Sequence, residues 1–113
     1  MNTEIVIALY KAKPGKESEL ETLIEQHVPV LRELALITSR PRLTMKSIDG
    51  TYLEVFEWTS SEASKKAHDQ PAVAKIWAGM EAVSEFRKLN ELNEAAAPFS
   101  HFKVVSHLSD TFK

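Results

Sequence analysis

The stretch Thr51–Thr59, read as Thr-Tyr-Leu-Glu-Val-Phe-Glu-Trp-Thr, most constrains what this chain can become. Its β-branched and aromatic content predicts a strand. Side chains alternate across a strand, so Tyr52, Glu54, Phe56 and Trp58 share one face, and Leu53, Val55 and Glu57 the other. An antiparallel sheet commonly wets one face. Here both faces carry apolar residues, which predicts helices on one side and a second subunit on the other. Glu4–Tyr10 repeats the pattern, with Ile5, Ile7 and Leu9 on one face and Val6, Ala8 and Tyr10 on the other. A strand this apolar is an aggregation hazard at an exposed edge, so it is expected to be central or covered.

Lys13-Pro14-Gly15-Lys16 ends the first strand, and a helix is expected from about Glu17. Leu20, Leu23, Ile24, Val28, Leu31 and Leu34 recur at helical spacing, opposite Lys16, Glu19, Glu21 and Glu25. Pro29 lacks the N–H of an interior helical residue and crowds the carbonyl of Glu25, so a kink or a restart is expected there. His27 lies on the apolar side, either as a structural histidine bonded to backbone or as a polar group lining a pocket.

Ser39–Ile48 reads as the second strand, with Arg40, Arg42, Thr44 and Lys46 on one face and Leu43 and Met45 on the other. Asp49-Gly50 is a hairpin signal, because glycine readily takes the positive φ of a tight turn. After the organising strand, Thr59 and Glu62 are spaced for a capping box. A short helix with Ala63 and Ala67 follows, then a second opened by Pro71 that presents Val73, Ile76, Trp77, Met80 and Val83. Arg87–Ala97 reads as a short polar helix or irregular chain, Phe99–Leu108 as the last strand, and the final five residues as a loose tail. Strand, helix, strand, strand, helix, strand is the split βαβ plan. The fold class is therefore α+β, ferredoxin-like βαββαβ with an antiparallel sheet, in a single domain spanning 1–113. The apolar face left over predicts a homodimer with sheets packed face to face, closing a dimeric α/β barrel.

Composition narrows the chemistry. The 113 residues contain no cysteine, so disulfides, thiol catalysis and cysteine metal sites are excluded. A net charge of −2 gives no reason to expect nucleic acid or a membrane surface as partner. No apolar run approaches the roughly 20 residues of a membrane span, and the N-terminus lacks a secretion signal, so a cytoplasmic location is expected. Gly15, Gly50 and Gly79 are too widely spaced for a phosphate loop, and no serine sits in a Gly-x-Ser-x-Gly elbow. His27, His68, His101 and His107 show no metal-ligand spacing; in an extended strand His101 and His107 would be about 20 Å apart at ~3.3 Å per residue. Neither a metal nor an organic cofactor is expected.

Candidate site residues follow. His68 closes the short helix just before Asp69-Gln70-Pro71, either bonding the last carbonyls or serving as a base at a pocket mouth. Trp58 and Tyr52 can pack and hydrogen-bond at once. Glu54 between them needs a partner, and Arg40 or Arg42 across the hairpin is available, either as a dimer salt bridge or beside a catalytic carboxylate. Trp77 and Met80 form a stripe that any packed helix shows.

The chain resembles the antibiotic biosynthesis monooxygenase-like (ABM) group of the dimeric α/β-barrel superfamily over residues 4 to 83. The resemblance rests on Ala12-Lys13-Pro14-Gly15-Lys16, Asp49-Gly50, Val55-Phe56-Glu57-Trp58, Ser61-Glu62-Ala63, Ala67-His68, Pro71-Ala72-Val73 and Ile76-Trp77, in that order. It implies a cofactor-independent monooxygenase that oxidises a small aromatic or quinol substrate with O2. In that reading His68 takes the proton. Trp58 and Phe56 build the aromatic environment, and Tyr52 or an arginine such as Arg40 steadies the developing charge. His27 and Trp77 join them as substrate-binding candidates. Haem-degrading relatives carry an asparagine on the first strand, and a tryptophan and a histidine at positions that fall near Ala67 and Trp77; this chain has none of the three. The alternative is a non-catalytic dimeric protein that holds a small apolar molecule.

Overall fold

A computed structural model describes residues 2–110 as an α+β fold, a five-stranded antiparallel sheet packed against helices. The strands are β1 (Glu4–Ala12), β2 (Leu43–Lys46), β3 (Tyr52–Trp58), β4 (Ser84–Phe86) and β5 (Lys103–Val104); the helices are α1 (Glu17–Glu33), α2 (Ala63–His68) and α3 (Pro71–Val83). The sheet order is β4-β1-β3-β2-β5. β1 and β2 both run antiparallel to β3, so they are parallel to each other with β3 between them. β3 and β4 flank β1 in the same way. Two strand–helix–strand units are thus interleaved, and β1 and β3 are central, as their two apolar faces require.

The register pairs Glu4 with Trp58 through to Tyr10 with Tyr52. It places Val6, Ala8 and Tyr10 beside Tyr52, Glu54, Phe56 and Trp58 on the face beneath α1 and α3. There Leu20, Ile24, Val28 and Leu31 of α1 and Val73, Ile76 and Met80 of α3 close the core. Pro71 takes the first turn of α3. Gly50 carries φ +92° in the β2–β3 turn. The Ser47 hydroxyl bonds the Asp49 carboxylate there, and this bond chiefly lowers the Asp49 pKa to about 2.

Several expectations are corrected. α1 runs through Pro29 as one helix and does not restart there. The second strand is shorter than Ser39–Ile48: the chain touches β3 at Ile37–Trp58, turns with Arg40 N–H on Thr38 Oγ1, and pairs again only from Leu43, after Pro41. No Thr59–Glu62 capping box forms, because the Thr59 hydroxyl donates to the Leu36 carbonyl and Glu62 is itself the N-cap. The fourth strand of the interleaved plan is Ser84–Phe86, not Phe99–Leu108. From the latter only Lys103–Val104 pairs, at the opposite edge; Ser106–Leu108 then makes a 3₁₀ turn that tucks Leu108 into the core. The tail is tied where it is described. Asp110 Oδ2 accepts from Arg42 N–H at 2.8 Å and from Arg32 at 2.9 Å; these bonds outweigh burial and lower its pKa. Residues 111–113 lie outside the described residues.

The other sheet face is covered in part by the chain itself. Residues 89–96 form two 3₁₀ turns around Leu92, which packs with Leu9 and Leu53, flanked by Met45, Ala95 and Phe102. Ile5 and Ile7 on the same face stay 52% and 43% exposed. Leu92→Ala should therefore lower stability by about 2–5 kcal/mol, the cost of a buried leucine cavity. Urea denaturation of the variant against wild type checks this.

A candidate aromatic cleft

A cleft of about 620 Å³ opens between α3 and the β1–β4 edge, on the helix face of the sheet. Phe56, Trp58, Trp77, Tyr10, Phe86 and Met80 supply its apolar wall, and His27 and His68 its histidines. The strand period delivers Phe56 and Trp58 side by side, ring centroids 5.2 Å apart and edge to face. α3 brings Trp77 and Met80 to the same cleft, three residues apart on one face. Glu81 and Arg87 also line it.

Beneath the cleft lies a buried polar cluster. Glu54 is 0% exposed. Its Oε1 accepts from the Tyr10 hydroxyl at 2.9 Å and lies 2.8 Å from His27 Nδ1; Oε2 is 3.6 Å from Arg42 Nη1. Arg42 Nη1 also donates to the Ile24 carbonyl at 2.9 Å. His27 Nε2 accepts from Trp77 Nε1 at 2.9 Å. Indole nitrogen is a donor only, so Nε2 must be the bare nitrogen, and Nδ1 carries the hydrogen that it donates to Glu54. Burial, and then the neighbouring Glu54 charge, push the Tyr10 pKa well up, so its hydroxyl keeps its proton and donates.

The structure thus brings together five of the residues singled out in the sequence: His27, Phe56, Trp58, His68 and Trp77. His68 is exposed at the rim, its ring edge to face with Trp77 at 4.8 Å between centroids. Two candidates stand elsewhere. The Tyr52 hydroxyl bonds the Glu21 carboxylate, and burial together with this bond raises its pKa; the residue is part of the core, not the cleft. Arg40 pairs with Glu57 at 3.1 Å on the other sheet face and, with this bond as chief cause, holds the Glu57 carboxyl below its usual range. Of the two arginines offered as the Glu54 partner, Arg42 is the one that reaches it, and the ion pair lies within the chain rather than as a dimer salt bridge. Sequence reasoning missed Tyr10, whose place opposite Tyr52 depends on register, and Phe86 and Arg87, which reach the cleft through β4.

A second cleft of about 700 Å³ lies at the opposite edge, by β5. Of its basic side chains, Lys46 pairs with Glu17 and His107 with Glu21, and Lys103 and His101 also line it. Among the described residues no group of three or more His, Cys, Asp or Glu could hold a metal ion, and no helix is long and apolar enough to cross a membrane.

Breaking the buried cluster should be costly. Glu54→Leu leaves Arg42 charged and buried without its counter-ion, and should destabilise by about 3–5 kcal/mol, whereas Arg42→Met combined with Glu54→Leu should recover only part of the loss, because the Tyr10 hydroxyl and the His27 Nδ1–H still lack an acceptor. Denaturant midpoints of the single and double variants check this. No protein-family model and no curated protein matches the chain.

Proposed function

We propose that the protein binds a small aromatic molecule in the α3–β1 cleft and oxidises it with O2 without a cofactor, as the resemblance to the ABM group implies. The observation that carries this reading is the cleft itself: a wall of Phe56, Trp58 and Trp77 with histidines set into it. Aromatic walls with few polar groups are what a flat apolar ligand needs. In the reaction, the substrate loses a proton and becomes an electron-rich anion. O2 takes electrons from that anion; in an anthrone the ring CH2 becomes C=O and the second oxygen atom leaves as water, whereas a quinol gives its quinone and H2O2. The substrate supplies the electrons, so the protein needs to provide a proton acceptor, a dry pocket and polar groups near the developing oxyanion. Two histidines line the cleft for the first task, and Arg87 is placed for the last.

The interleaved strand order supports the ferredoxin-like plan, and with it a homodimer. In this reading a second copy covers Ile5 and Ile7, which Leu92 and its neighbours leave open. A two-fold axis through that face matches each patch with itself. Ile7→Lys should convert the dimer to a monomer, measured by sedimentation velocity.

A second reading is binding without turnover. It is favoured by His27, both of whose nitrogens are already engaged. Titration with anthrone and 1,4-naphthohydroquinone separates the readings. Trp58 and Trp77 are the chain's two tryptophans and both line the cleft, so saturable quenching of their fluorescence is expected. Oxygen uptake with quinone formation is expected alongside. Quenching without uptake selects the binding protein, and fluorescence unchanged by either compound overturns the cleft as a site for aromatic ligands.

A further inference from the structure

The proposed oxidation needs one proton acceptor in the cleft, and the two histidines there are differently prepared. His68 is exposed, and its ring is placed by its edge contact with Trp77. His27 is 2% exposed and fixed at both nitrogens. Its Nδ1–H points at a buried carboxylate, and its bare Nε2 points at an indole N–H in the cleft wall. Around Glu54, the Tyr10 hydroxyl donates to Oε1 and the Arg42 guanidinium lies 3.6 Å from Oε2. A carboxylate that holds Nδ1–H fixes the tautomer, orients the ring and stabilises the imidazolium formed when Nε2 gains a proton.

Resting on the reading above, we propose that His27 is the general base, Glu54 its positioning residue, and Trp77 the cap that occupies Nε2 until substrate arrives. The substrate class is then a hydroxyaromatic, a phenol, a quinol or the enol form of an anthrone, because the group that replaces the indole N–H on that lone pair must also be acidic enough to yield its proton to an imidazole. In the step itself, the substrate O–H bond breaks and an Nε2–H bond forms. The electron pair stays on the substrate oxygen, and the new imidazolium lies against the Glu54 carboxylate. The anion then gives its electrons to O2, and the proton on His27 leaves with the reduced oxygen, as water where a ring carbon is oxygenated and as H2O2 where a quinol becomes its quinone.

The first test uses the wild-type protein with ¹⁵N-labelled histidine and tryptophan, and 2-naphthol as a ligand. In the free protein the His27 ring should be in the Nδ1–H tautomer. At saturation the Trp77 indole N–H signal, assigned with Trp77→Phe, should move as it loses its histidine acceptor, and the His27 Nε2 signal should move with it. Signals that stay in place while 2-naphthol binds overturn the dyad. The second test is kinetic, with 1,4-naphthohydroquinone. His27→Gln should lower kcat by roughly 10²–10⁴-fold with KM little changed, the range of a lost general base, and His68→Ala should lower it by less than about 10-fold, having lost only a rim contact. If His27→Gln does not fold, Glu54→Gln serves: it should lower kcat and mix the two His27 tautomers, a spectroscopic change that loss of packing alone does not produce. The opposite ranking, His68→Ala inactive and His27→Gln active, overturns the dyad and leaves the oxidation standing. A wild-type protein that binds 2-naphthol with the stated shifts but consumes no oxygen retains the His27–Glu54 pair as a hydroxyl-binding site and overturns the oxidation. One that neither binds nor turns over overturns both.

Discussion

The carboxylate of Glu54 sits at the centre of the sheet with no exposure to solvent, and the rest of the structure arranges itself around that fact. A buried carboxylate is tolerated only where donors and a counter-charge are brought to it. Here they come from three directions: Tyr10 from the neighbouring strand, His27 from α1, and Arg42 from the chain just before β2. Each contact fixes the register or rotation of its element. A one-residue slip of β1 against β3 would turn Tyr10 to the other face, and a rotation of α1 would withdraw His27. The cluster therefore specifies the packing more than it strengthens it, since apolar residues of similar size commonly pack as well.

The two faces of the sheet solve different problems. The helix face is closed by α1 and α3 over most of its area and opens beside β1 and β4, where the aromatic cleft lies. The other face is closed by a segment with little regular structure. Its two 3₁₀ turns place Leu92 on Leu9 and Leu53, at one end of the central strands, and leave Ile5 and Ile7 at the other end. One apolar surface is thus divided between a cover in the same chain and an exposed half.

Much of this was legible in the sequence because it follows from short periods. The period of two put Tyr52, Glu54, Phe56 and Trp58 on one face, and the helical period put His27 with Leu20, Ile24 and Val28. Pro71 and Gly50 marked the start of α3 and the hairpin turn through their own backbone limits. Three features were not legible. β4 follows α3 with no glycine or proline between them, and three residues are too few for alternation to show. Phe99–Leu108 alternates like a strand, yet the Leu108 side chain gains more by turning into the core than by continuing the ladder. The Trp77–His27 bond joins residues fifty apart, on helices whose relative rotation no local pattern fixes.

That bond also decides how the cleft is understood. Histidine on an apolar helix face reads as a packing residue when only its own helix is considered, and its burial agrees. The orientation of its proton comes from elsewhere. Because an indole can only donate, Trp77 makes Nε2 the bare nitrogen, and Glu54 then receives the hydrogen of Nδ1. The same carboxylate that sets the register of β1 and the rotation of α1 thereby sets the tautomer of the imidazole. An apolar replacement of Glu54 that preserved the fold would still remove the acceptor that holds the Nδ1–H of His27.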